Sequence, residues 1–330
     1  MQQIGTQTRI PTKLMQSGWL VQVIIVLFLA LTPLFAGRPM LNMLTLIFCM
    51  GVFAMSYDIL LGYTGIVSFG HALFFGIGAY AVAILITQTK ATMGFVILAV
   101  LCALLISIVL SLFVGFLSLR VRDTYYAMIT MAIAELGFIV AEKARHITNG
   151  YDGMTFRVPS MFMDRIVFYY IALVFLVVSF IFLWKFTNSP AGRVLVAIRE
   201  NEQRVNFLGY NVLHYKLIST VVAGGMASLA GSFYAIHMRF VSTAVLSTTK
   251  TIDALLATII GGVGTLYGAI IGAGIVSFAG EYLSRLAKVH HLFERWYIFF
   301  GLLYILIVLF APYGVMGAIK KFRAKKLGKA

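Results

Sequence analysis

Charge is what this 330-residue sequence has least of: Asp, Glu, Lys and Arg make up 11% of it, against about a quarter in a soluble domain. Acids are the scarcer sign, 11 against 26 bases, leaving a net charge of +15. Only two cysteines occur, Cys49 and Cys102, and both fall inside apolar runs, which excludes a disulfide framework. Long segments of period-two alternation are missing, which argues against a transmembrane barrel. Despite 30 glycines there is no G-x-x-x-x-G-K-[ST] phosphate-binding loop. The pair His290-His291 stands outside any H-E-x-x-H pattern, and Ser68 in S-F-G-H is not in a G-x-S-x-G elbow. No catalytic residue and no metal site are therefore expected, and hydrolysis of ATP by this chain alone is excluded.

What is present is apolar: 61% of the residues are hydrophobic. Runs long enough for ~20-residue spans recur along the chain, which implies an all-α, polytopic bundle of membrane helices. The expected spans are 19–36, 40–61, 65–87, 94–119, 124–141, 166–184, 215–236, 251–262, 265–284 and 296–311. The first follows Arg9 and Lys13 and superficially resembles a signal peptide, but the many spans after it favour a retained helix. The stretch 251–284 is too long for one helix across ~30 Å of hydrocarbon, and G-G-V-G-T-L-Y-G at 261–268 supplies a break.

Ten crossings place both tails (1–18 and 318–330) and the polar loop 189–211 on one side. That side then carries 15 of the 26 Lys and Arg, including Arg120 and Arg122, and so reads as cytoplasmic. The segment 142–159 carries cations on the opposite side, against the bias. The tail K-K-F-R-A-K-K-L-G-K is expected to meet anionic lipid head groups, not nucleic acid. The whole reads as one transmembrane domain.

The one long polar interruption, 189–211, predicts an amphipathic helix and a docking surface. Ser189 can cap it and Pro190 suits its first position. Val194, Ile198, Val205 and Leu208 form a thin apolar face against Arg193, Arg199, Glu200, Glu202 and Arg204, and Gly209 offers a stop.

Inside the spans, 62–81 is rich in small residues. Ser68, Ala72, Gly76 and Ala79 or Ala83 would share a helical face, and Gly62, Gly65 and Gly70 permit a non-helical lead-in. Tight helix packing is the plainer reading, and a broken helix lining a substrate path the sharper one. His71 fits either a path or a hydrogen-bonded packing role. Asp58, Glu135 and Asp253 are acids within or at the edge of spans, each expected to pair with a cation, a backbone donor or a polar cavity, with an ion relay as the alternative. Gly224, Ser228, Gly231 and Ala235 repeat the small-residue face in 215–236.

Several of these stretches resemble one family, the permease subunits of branched-chain amino acid ABC transporters in their LivM-like branch. They are G-Y-T-G-I-V-S-F-G-H-A-L-F-F-G-I-G-A-Y at 62–80, T-N-G-Y-D-G-M at 148–154, G-R-V-L-V-A-I-R-E-N-E at 192–202 with L-G-Y-N at 208–211, and G-G-V-G-T-L-Y-G-A-I-I-G-A at 261–273. The likeness covers roughly 40–284 in matching order. Phe207 is bulkier than the residue usual there, and Ala269 stands where proline is common.

The resemblance implies an importer subunit in a bacterial inner membrane. Its partners would be two ATP-binding subunits, a second, LivH-like permease and a periplasmic solute-binding protein. The loop would be the coupling helix, with Gly192, Arg193, Arg199, Glu200, Asn201, Glu202 and Gly209 carrying the contact. No cofactor is expected on this chain, since ATP and magnesium would sit on the partners. The substrate would be a branched-chain or other hydrophobic amino acid, with urea or short amides as the alternative. An ion-coupled secondary transporter using Asp58, Glu135 or Asp253 is the reading from a different class.

Overall fold

The structure is a computed structural model that describes residues 24–89, 91–119, 123–287, 301–302, 305, 309 and 314–317. After a short apolar helix α1 (Ile24–Leu34) come α2 (Arg38–Asp58), α3 (His71–Gln88), α4 (Met93–Ser118), α5 (Asp123–Lys143) and α6 (Arg165–Asn188). The polar loop holds α7 (Pro190–Glu200) and α8 (Glu202–Phe207). The chain continues through α9 (Val212–Met238), α10 (Thr248–Gly261) and α11 (Leu266–Ala287). The loops before α6 and after α9 meet in a two-residue antiparallel ladder, β1 (Met154–Thr155) with β2 (Phe240–Val241), in which Met154 faces Val241.

Among the described residues seven helices are long and apolar enough to cross a membrane: α2 to α6, α9 and α11. This is an all-α, multi-pass membrane protein. Of the ten expected spans, 296–311 falls largely outside the described residues, as do both tails, Arg120, Arg122 and the His290-His291 pair. The break at 261–265 is present, since α10 ends at Gly261 and α11 begins at Leu266.

α2, α3 and α9 form the centre. In their most apolar windows 78%, 67% and 61% of residues are buried, against 28% in α4, α5 and α11. Small residues let α3 and α9 approach to backbone contact. A side-chain carbon on Gly78 would run into the Ser228 carbonyl, and one on Gly231 into that of Phe75. Hydroxyls bridge this seam and the one between α9 and α4: Ser232 donates to the Gly78 carbonyl of α3 at 3.1 Å, Ser228 to that of Ala103 on α4 at 3.1 Å, and Ser107 on α4 to that of Gly224 at 2.8 Å. The small face expected in α9 is thus a packing face.

The structure departs from the expected spans in two places, both at helix starts inside the bundle. The segment 65–70 is not helical, and α3 starts only at His71, whose side chain reaches Ser56, two turns before the helical run of α2 ends at Thr64. The chain therefore folds back into the bundle before it becomes a helix, and Ser68 lies ahead of α3 instead of on a helical face with Ala72 and Gly76. Gly65, at φ +78°, makes the reversal, because this left-handed conformation costs glycine nothing. α10 has 14 residues, about 21 Å of helix at 1.5 Å per residue, too short to cross alone. It too is preceded by backbone outside the α-helices, the 3-10 turn Thr243–Leu246, which packs on α3 with Leu246 against Gly76. Non-helical backbone is tolerated at this depth because protein buries it and supplies its partners. The amide of Ile66 reaches the Leu60 carbonyl at 2.9 Å, and that of Gly70 the Ser68 hydroxyl at 3.3 Å.

Candidate functional site

The polar loop is built as two helices. Ser189 accepts from the Gly192 amide at 3.2 Å, and Pro190 occupies the first turn, so α7 starts as its sequence requires. Any side chain on Gly192 would strike the Thr187 backbone, which explains the glycine. The expected single helix is interrupted at Asn201, whose backbone leaves the helical region (φ −160°, ψ 98°). Its side-chain oxygen accepts from the Arg204 amide at 2.9 Å and caps α8. Asparagine stabilises a new helix start more than a helix interior, and that preference wins here.

Leu195, Ile198, Val205 and Val212 are buried together and tie the loop to Phe186 and Tyr215. Leu195 takes the place expected for Leu208, which is 70% exposed. Gly209 ends α8 at φ +85°, with its amide on the Asn206 carbonyl at 3.0 Å. Glu202 pairs with Lys216 at 2.8 Å. The outward face carries Arg193, Glu200, Asn201 and Arg204, with Phe207 89% exposed at its tip. Between α7, α8 and the start of α9 lies a groove of about 360 Å³, lined by Arg193, Val194, Ala197, Leu208 and Tyr210 among others.

Arg199 does not share that outward role. Its guanidinium donates to the carbonyl of Gly62, in the π-helical turn that ends α2 (Ile59–Thr64). Gly264, at φ +78° in the break between α10 and α11, packs against both the guanidinium and that carbonyl. Asp58, fully buried, accepts from the Gly264 amide at 2.8 Å. Gly62 touches Asp58 and Gly264 so closely that a Cβ there would overlap both. Asp58 therefore belongs to a junction under the polar loop.

The other candidate residues lie apart from it. Gly70 packs on the Thr130 carbonyl. His71 is fully buried, bonded through Nε2 to the Ser56 hydroxyl at 2.8 Å, stacked on Phe53 and edge-on to Tyr57. The Ser56 hydroxyl donates to the Phe53 carbonyl at 2.7 Å, so it accepts from His71, and Nε2 carries the proton. Asp253 is half-buried, 3.4 Å from Lys250, whose ammonium sits over the Tyr234 ring. Glu135 lies exposed on α5 between Met131 and Leu136, both exposed as well. Among the described residues no hydrogen bond or ion pair joins Asp58, Glu135 and Asp253 to one another, and no three His, Cys, Asp or Glu cluster as metal ligands.

Sequence reasoning missed Ser56 and Thr251, and read Gly264 only as part of the break at 261–268. Thr251 accepts from the Ala72 amide at 2.9 Å and so caps the first turn of α3 from α10. The one available signal was a threonine in an apolar run, which hydropathy alone passes over.

The family described as "Branched-chain amino acid transport system / permease component" matches residues 39–309. Among curated relatives, the chain is 23% identical to the high-affinity branched-chain amino acid transport system permease protein LivM of Salmonella typhimurium, over 90% of this chain and 75% of that protein. It is 25% identical to the high-affinity branched-chain amino acid transport system permease protein BraD of Pseudomonas aeruginosa, over 85% of this chain and 95% of that protein. A probable branched-chain amino acid transport permease protein LivM of Methanocaldococcus jannaschii is 23% identical, over 80% and 89%. No solved structure matches.

Proposed function

Since this chain belongs to the family of branched-chain amino acid transport system permease components, we propose that it is the membrane subunit of an ATP-driven importer in a bacterial inner membrane. It is a transport permease, not an enzyme. Its substrate in this reading is a branched-chain or other hydrophobic amino acid. Two ATP-binding subunits supply the energy and hold ATP and magnesium, a second homologous permease completes the path, and a periplasmic solute-binding protein delivers the substrate.

The observation that carries the reading is the α7–α8 loop. Its inner face is anchored by Leu195, Ile198, Val205 and Val212, while its outer face presents charges of both signs and the exposed Phe207. A rigid helix pair of this kind can dock in a complementary groove and transmit its movement. Ser68, Gly70, His71 and Gly76 in this reading fix where α3 begins beside the path. Glu135 fits the face turned to the second permease, because a carboxylate at membrane depth needs polar surroundings that lipid does not supply.

The test is reconstitution into proteoliposomes. Uptake of labelled leucine, isoleucine or valine is expected only when ATP-binding subunits, the second permease and the solute-binding protein are all present with ATP. Uptake by this chain alone, abolished by an uncoupler, would replace this reading with the ion-coupled one.

A further inference from the structure

We infer that Arg199 is the residue through which the polar loop moves the membrane bundle, by holding both helix breaks at one point. This rests on the importer reading and names the internal contact that the reading leaves open.

The covalent ends of the loop join it to α6 and α9, yet neither is a broken helix. The breaks lie elsewhere, at 65–70 between α2 and α3 and at 262–265 between α10 and α11. Arg199 alone of the loop's charged residues reaches them. Its guanidinium donates to the Gly62 carbonyl, its aliphatic stem lies against Gly65, and Gly264 packs on its Nη1. Asp58 then ties Gly264 back to α2 at 2.8 Å. One arginine thus touches the last turn of α2, the lead-in to α3 and the turn into α11.

The chemistry suits a lever. A charged donor on a carbonyl is stronger than a neutral one. The three glycines are required at the contact: Gly65 and Gly264 hold positive φ, and Gly62 has no room for a Cβ. Irregular backbone at a helix break can change its φ and ψ where a helix interior cannot, so a displacement of α7 is delivered to the two places able to absorb it. Arg199 is in this sense a positioning residue. It touches no substrate and acts through Gly62 and Gly264.

Two measurements test the inference. In the full-length chain in nanodiscs, Arg199→Ala is expected to raise amide hydrogen exchange at 62–66 and at Gly264 by about tenfold, the loss of one charge-assisted hydrogen bond, while Lys185→Ala, which removes an exposed charge from the last turn of α6, changes neither. Unchanged exchange in Arg199→Ala, or an equal rise in Lys185→Ala, overturns the clamp whether or not the importer reading holds. In the reconstituted complex, Arg199→Ala should lower substrate moved per ATP hydrolysed by about tenfold, and Arg199→Lys, which keeps a donor, should recover most of it. An unaltered ratio in Arg199→Ala rejects the lever. Should Arg199→Ala fail to insert, Arg199→Gln carries the same comparison, with a shorter neutral donor. Absence of uptake in the unsubstituted complex would count against the importer reading and leave the exchange result standing.

Discussion

A carboxylate inside an apolar helix is stable only when its oxygens find donors, and Asp58 finds one in the amide of Gly264, 206 positions along the chain. The contact requires that nothing larger than hydrogen occupy the α-position of Gly62. Gly62→Ala is expected to push Asp58 off the Gly264 amide and to cost about 1–3 kcal/mol, as overpacking of a close-packed interior does. Thermal unfolding in detergent measures it, and a midpoint equal to that of the unsubstituted chain would show that the junction is loose. The sequence marks Asp58 as an acid in need of a partner, and marks Gly62 and Gly264 as breakers. It does not join them, because the distance between two helix breaks is set by how α2, α10 and α11 pack. Arg199 shows the same limit. Helical spacing places it among the charged residues of α7, and only the position of α7 against the π-helical turn reveals that its guanidinium reaches the Gly62 carbonyl.

At the scale of elements, α3 and α10 are helices that begin inside the bundle, and the start of α3 depends on that of α10. Thr251, in the first turn of α10, accepts from the Ala72 amide in the first turn of α3. Helix starts leave their first amides without partners, and at membrane depth no water is available to satisfy them. Thr251→Val keeps the shape and removes the acceptor, so a loss of about 1–3 kcal/mol is expected, while Thr251→Ser should retain most of the stability. Equal unfolding midpoints for the valine and serine variants would reject the cap. The helices α2, α4, α5, α6, α9 and α11 were legible as apolar runs, and the α10–α11 break was legible from its glycines. The non-helical lead-in at 65–70 and the 3-10 turn Thr243–Leu246 before α10 were not, since hydropathy is blind to whether a buried apolar segment is coiled or extended. Asn201 adds a third case, in which local capping chemistry divided a helix whose amphipathic pattern ran on.

For the whole molecule the decisive question is where outside work enters, and the two faces of α7 divide the answer between them. The inner face is apolar and closed, with Leu195 and Ile198 buried against Val205 and Val212. The outer face is charged and open, and Glu200 stands on it near the tip, exposed and without an ion pair among the described residues. A surface charge that serves only solubility can be reversed with a change in stability within about 0.5 kcal/mol and no further effect. One that meets a complementary partner charge loses that attraction and gains repulsion, and close pairs at interfaces are coupled by about 1.5–7 kcal/mol. Glu200→Arg is therefore expected to leave the unfolding midpoint unchanged and to lower ATP-dependent uptake by about tenfold or more, with the loss lessened at high salt as screening weakens the repulsion. A cysteine at Asn201, adjacent to it, should cross-link to a co-purified ATP-binding subunit and lose that cross-link in the Glu200→Arg background. Undiminished uptake together with an undiminished cross-link would move the docking face away from Glu200, toward the groove beside Arg193 and Tyr210.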